Sequence, residues 1–153
     1  RQAMDEAALL VDPAWILPST FGIEAGSVAA EALLALDPRP TAIFAMNDNT
    51  AIGAMSAILR RGLSVPGDMS LVGYNDIALV SLLPTPLTTV RVPFNQIAAA
   101  ALDLLTDRLA GNAPAPGTVR NTAPTLIPRQ STVSVRGSGR NHLSGRSSQR
   151  DGA

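Results

Sequence analysis

Cysteine and lysine are absent from this 153-residue chain, and histidine occurs once, at His142. Without cysteine there are no disulfides, no cysteine-rich metal sites and no thiol catalysis. One histidine in a polar C-terminal stretch leaves no Ser-His-Asp triad and no histidine-ligated metal centre. The apolar runs fall well short of the ~20 residues that a membrane-spanning helix needs. No membrane, metal or cofactor is therefore expected. With lysine missing, all twelve basic residues are arginines, and Arg136, Arg140, Arg146 and Arg150 lie beyond Val135. Twelve acidic residues bring the formal net charge to zero. The part before the tail is thus net acidic, a poor electrostatic match to a nucleic-acid backbone. Hydrophobic residues make up 46% of the chain, enough for the packed core of a soluble globular protein.

Apolar residues at 25, 28, 29, 32, 33 and 36 follow the spacing of a helix with one buried face, ended by "PRP" after Asp37. Thr41–Met46 is short, apolar and flanked by polar residues, and reads as a buried strand. Ala51, Ile52, Met55, Ile58 and Leu59 repeat the helical spacing, with Gly62 placed for a left-handed residue at the helix end. "SVPGD" is a turn, and Ser70–Tyr74 a second short strand. The apolar "IALVSLLP" is followed by a strand at "LTTVRV" and by a long helix opened by Pro93 and closed by Gly111. After the loop "NAPAPG", "TLIPRQSTV" reads as a final strand at an edge or bulge because of Pro128. Short apolar strands alternating with amphipathic helices define an α/β chain built from parallel βαβ units. The first residues, "RQAMDEAALL", read as the later part of a helix with no start signal, so a piece of a longer protein is expected. Residues 136–153 hold one large apolar side chain and read as a disordered tail. Its "GSG" at Gly137 has no strand before it or helix after it, and fails as a phosphate loop.

Two strands end on the same pair of residues: Asn47-Asp48 after the first and Asn75-Asp76 after the second. In open parallel sheets the carboxyl ends of the strands face the crevice where ligands bind. Asp48 and Asp76 can equally be helix caps. The amides of Asn47 and Asn75 offer donors and an acceptor without a buried charge, which suits a neutral hydroxylated ligand such as a sugar or nucleoside. Asp5-Glu6 and Asp103 with Asp107 read as solvated helix faces, and no catalytic constellation is present, so an enzyme is not expected.

"PTAIFAMNDNTAIGAM", "GLSVPGDMSLVGYND", "PTPLTTVRVPFNQIAAAALDLL" and "LIPRQST", in that order, resemble the lactose-repressor (LacI/GalR) family of bacterial transcription regulators. The resemblance implies a periplasmic-binding-protein-like type I fold, two α/β lobes with a small-molecule effector between them. It implies further that this chain is mostly the C-terminal lobe (residues 1–85), with a crossover segment belonging to the other lobe (86–117) and a return strand (118–135). Operator DNA is then bound only through an N-terminal helix-turn-helix absent from this chain, in a cytoplasmic homodimer. By the same resemblance Phe21 matches an aromatic that stacks on effector, the alternative being a core aromatic. Asn47 and Asn75 match polar effector contacts, Asp76 takes the negative charge that relatives carry at Asn75, and Asp48 is a cap or secondary residue. The dimer surface is expected at Ile52, Met55, Ile77, Leu79, Leu82 and Leu83, unless these are core, and the face of Phe94, Ile97, Ala101 and Leu105 is expected to be partly exposed. Two other readings remain at this point: an exported sugar-binding protein of a transporter, and a truncated regulator fragment without independent function. The tail arginines suit solvent better than nucleic acid.

Overall fold

A computed structural model describes residues 2–112, 115 and 117–134. The tail at 136–153, with Gly137 and His142, and part of the "NAPAPG" loop lie outside the described residues. In chain order the elements are α1 (Gln2–Glu6), α2 (Ile23–Leu34), β1 (Ala42–Phe44), α3 (Asp48–Arg60), β2 (Ser70–Asn75), β3 (Thr88–Arg91), α4 (Phe94–Leu109) and β4 (Thr125–Ile127). Single 3-10 turns add Pro13–Trp15 and Ala78–Ser81. The sheet runs β1-β2-β3-β4, with β1, β2 and β3 parallel and β4 antiparallel to β3. Asn75 and Arg91 are register partners at the carboxyl ends of β2 and β3. No described helix is long and apolar enough to cross a membrane.

The core lies between α3 and the sheet. Ala51, Ala54, Met55 and Ile58 on α3 pack with Met69 and Leu71 around β2, and with Val80 and Leu87 from the connection to β3. Met55 therefore belongs to the core and not to a dimer surface: its thioether chain lies on the inward face of α3, 5% exposed. Ile52, Ile77 and Leu83 are partly buried against the same cluster, whereas Leu79 on the second 3-10 turn and Leu82 just after it are exposed.

Two glycines set how closely α2 and α3 cross. A Cβ on Gly26 would run into the backbone of Thr50, and one on Gly53 into the carbonyl of Ile23. The helices thus meet backbone to backbone, a distance that only a missing side chain permits. On the outer side of the crossing Arg61 and Arg60 reach Glu31, at 2.6 and 3.8 Å, and Arg60 also donates to Ser27 Oγ. These partners are solvent-exposed and add little, about 0–1 kcal/mol per pair. Gly62 takes the left-handed conformation expected of it (φ 72°), as does Gly111 after α4 (φ 79°).

The last strand is shorter than its sequence suggested. β4 ends at Ile127, because Pro128 has no N–H to continue the ladder, and the chain then changes role. Ser131, fully buried, accepts from the Thr88 N–H (2.8 Å) and donates to the Leu71 carbonyl (2.6 Å) through one hydroxyl. Its own carbonyl accepts from the Leu71 N–H at 2.8 Å. "RQST" is therefore a polar plug between β2 and β3 at their amino ends.

α4 has no buried residue, and Phe94, Ile97, Leu102, Leu105 and Leu109 are all exposed. Asp103 and Asp107 do face solvent there, bridged by Arg120 at 3.6 and 3.8 Å.

Because the obstruction at Gly53 is backbone, which cannot swing aside, Gly53→Ala should destabilise the chain by about 1–3 kcal/mol, read as a lower denaturation midpoint at unchanged slope. Gly22→Ala, where nothing lies within reach of a new Cβ, should cost less, since it loses only the preference for glycine over alanine at the N-cap of α2.

Candidate functional site

The joint between β1 and α3 is built by Asn47. Its backbone is extended, its Oδ1 accepts from the Thr50 N–H at 2.8 Å, and Thr50 Oγ1 accepts from the Asn47 N–H at 3.2 Å, a reciprocal capping box. Its Nδ2 donates to the Phe21 carbonyl at 3.1 Å, tying the loop before α2 to the start of α3. Asn47 is buried, and most of its hydrogen-bonding capacity is spent inside the protein. The Phe21 ring is 68% exposed, so the reading of Phe21 as a core aromatic does not hold.

The cap is thus Asn47 and not Asp48. Asp48 occupies the first helical position, 1% exposed, and points its carboxylate into the sheet. Oδ1 accepts from Thr89 Oγ1 at 2.6 Å and Oδ2 from the Ile77 N–H at 2.8 Å. Room for it comes from Gly73, where a side chain would collide with Oδ1 and with Leu87. A buried carboxylate needs such donors, since leaving it unpaired costs several kcal/mol or more.

The second pair behaves differently. Asn75 (φ 113°) and Asp76 (φ 62°) both take positive φ, which Asn and Asp tolerate better than other non-glycine residues, and the chain turns sharply after β2. The Asp76 side chain is only 6% exposed, and both of its oxygens are taken by guanidinium groups. Arg129 Nη2 donates to Oδ1 at 2.6 Å, and Arg91 Nε to Oδ2 at 2.7 Å. Arg129 also donates from Nη1 to the Leu87 carbonyl at 2.8 Å. Asp76 is thereby a latch between the bend, β3 and the segment after β4, a correction to its expected role as an open acceptor for ligand hydroxyls. Burial works against its charged form, but the hydrogen bonds and charges of Arg129 and Arg91 outweigh it, and its carboxyl lies below the usual carboxylate range.

Thr89, Arg91 and Arg129 were not singled out as site residues from the sequence. A signal existed: alternation in "TTVR" puts Thr89 and Arg91 on one face of β3, and two acidic residues at strand ends require donors nearby. Of the expected residues, the structure links Phe21 to Asn47 and places Asn75 beside Arg91, while Asp48 and Asp76 face inward. A cavity of about 490 Å³ adjoins this joint at the side of β1, lined mainly by apolar residues such as Trp15, Ile16, Leu33 and Phe44, with Ser19, Met46 and Thr50 next to the Phe21 loop and Asn47, but by none of the expected site residues themselves. Among the described residues no cluster of His, Cys, Asp and Glu is arranged to hold a metal ion.

Residues 1–132 match the family of periplasmic binding protein-like domains. The lactose operon repressor of Rhizobium radiobacter is 50% identical over 88 residues, covering 58% of this chain and 78% of that protein. The chain belongs to the LacI family, in its periplasmic-binding-protein-like domain. The PurR repressor of Vibrio cholerae is 40% identical over 109 residues, 71% of this chain and 32% of the repressor. Among solved structures, a LacI-family transcriptional regulator from Sanguibacter keddieii superposes with a TM-score of 0.80 at 34% identity, over 88% of this chain and 50% of that one. The chain spans about a third of the PurR repressor and half of the solved regulator. The relatives named here are transcriptional regulators, not enzymes.

The lowered Asp76 pKa fixes the sign of an acid effect. Its stabilisation is fully present above the unfolded value of about 3.9 and is lost as pH falls through the folded value. Asp76→Asn should therefore cost roughly 1–3 kcal/mol at neutral pH. The gap to the unsubstituted protein should close as pH is lowered below about 4, measured by urea denaturation across pH; a gap constant with pH would mean that the charge of Asp76 contributes nothing.

Proposed function

We propose that this chain is the effector-binding and dimerisation part of a LacI/GalR-type transcriptional regulator. The effector is a small hydroxylated molecule of the sugar or nucleoside class. It lies at the carboxyl ends of β1 and β2, with the Phe21 ring against one face, the Asn75 amide as hydrogen-bonding group, and Asn47 holding the Phe21 loop in place. Asp76 acts behind this surface by fixing the bend that carries Asn75. The observation that carries the reading is the 3.1 Å bond from Asn47 to the Phe21 carbonyl, which holds an exposed aromatic beside a strand end in a LacI-family domain. An exposed phenyl ring beside an amide is what stacking on a sugar or base requires.

Residues 1–85 with 118–135 form one lobe on this reading, and 86–117 cross to the other lobe, whose remaining chain covers the apolar face of α4. Leu79 and Leu82 form the exposed part of the homodimer surface, flanked by the partly covered Ile52, Ile77 and Leu83. Operator DNA is contacted by a helix-turn-helix outside this chain, in the cytoplasm. The effector acts by binding two lobe arrangements unequally, and its effect on operator affinity cannot exceed that difference.

Thermal-shift titration against hexoses, pentoses and nucleosides tests the site. A true effector raises the melting temperature, and its stabilisation grows with the logarithm of concentration, reaching about 2.7 kcal/mol at one hundred times its Kd. Phe21→Ala should abolish that rise while leaving the unliganded melting temperature nearly unchanged, because the ring is mostly in solvent. A ligand-induced rise that survives Phe21→Ala would remove Phe21 from the site.

A further inference from the structure

We infer that Arg91 selects an effector bearing an oxyanion, a phosphate ester or a carboxylate, beside Asn75 at the strand ends. The inference deepens the effector-site reading and rests on it. Both carboxylates of this region are turned inward: Asp48 is 1% exposed and the Asp76 side chain 6%, while the Arg91 side chain is 57% exposed. Solvent at the ends of β2 and β3 therefore meets the cation and not the acids. Asp76 already has a partner in the largely buried Arg129, bound through Nη2 at 2.6 Å, so Arg91 is a second positive charge on one carboxylate.

Arg91 is also bound in an uneconomical way for a residue whose only task is to pair with Asp76. The strongest arginine-carboxylate geometry uses two parallel N–H donors. Here only Nε is engaged, at 2.7 Å, and among the described residues Nη1 and Nη2 have no protein acceptor. The Nε contact fixes the plane of the guanidinium through a chain of charge-assisted bonds, from the Leu87 carbonyl to Arg129, from Arg129 to Asp76, and from Asp76 to Arg91. A guanidinium held at one corner with its outer edge in solvent is a preorganised two-point donor for phosphate or carboxylate. Its register partner Asn75, half-buried, adds an amide for a neighbouring hydroxyl. The neutral sugar or nucleoside class suggested by the two asparagines is thereby narrowed to its anionic members.

Inorganic phosphate is the first probe, followed by glucose, glucose 6-phosphate and glucuronate, which differ only at one end of the sugar. Phosphate should move the NMR signals of the Arg91 guanidinium and the Asn75 amide saturably. Arg91→Gln should weaken phosphate binding about tenfold or more, and Arg91→Lys, which keeps the charge but not the fork, should fall between. Preference for glucose 6-phosphate over glucuronate or the reverse then identifies which oxyanion fits. Phosphate that leaves both signals unmoved, or binds Arg91→Gln as well as the unsubstituted protein, overturns the assignment. If neutral sugars or nucleosides still raise the melting temperature in that case, the effector site stands and only anion selection falls. If no probe of either kind binds, both fall together.

Discussion

The buried carboxylate of Asp48 fixes the relation between α3, β3 and the bend after β2, and the remaining geometry of the strand ends depends on it. One oxygen binds the Thr89 hydroxyl and the other the Ile77 N–H, so a single side chain joins three segments far apart in sequence. Gly73 is needed to admit it, and Asn47 is needed to start the helix one residue earlier, leaving Asp48 free to turn inward. Capping and cross-linking, which a sequence can assign to one acidic residue, are divided here between neighbours.

The two acidic residues at the strand ends are stabilised by opposite means. Asp48 is surrounded by neutral donors and fully withdrawn from water, whereas Asp76 is clamped by two arginines at the protein's edge. Charge balance explains the difference in tolerance: a carboxylate held by dipoles must be enclosed and precisely fitted, while one held by cations can sit close to solvent. With both acids occupied internally, the groups at the strand ends that the fold does not consume are chiefly the Phe21 ring, the Asn75 amide and the outer edge of Arg91.

Much of this architecture was legible in the sequence. Helical spacing in Ala51–Leu59 follows from burial on one helix face, and the short apolar runs located the strands at Ala42–Phe44 and Ser70–Asn75, which are local properties. The expected burial of the first strand does not hold, because β1 is an edge strand with Ala42 and Phe44 exposed. The inward turn of Asp48 was not legible, because it depends on what lies across the sheet. The same applies to Met55, whose apolar character suits a core and an interface equally, so only the position of β2 decides. The final strand was overextended because "STV" is a good strand sequence locally, and the buried hydroxyl of Ser131 acquires its role only when β2 and β3 are already side by side. For Asp76 the arginines were visible in the motifs "TTVR" and "IPRQ", but nothing local indicated that both would reach the same carboxylate.

The Ser131 plug has a consequence for how the chain is made. Leu71 and Thr88 each leave a backbone group to a residue that is synthesised long after them, beyond the whole excursion through α4. Until Ser131 has been synthesised, the Leu71 and Thr88 groups that it matches in the folded chain lack that partner. A nascent chain halted anywhere before Ser131 would hold most of its core residues yet lack the polar closure, and that interval is when unpaired strand ends are most exposed to wrong partners.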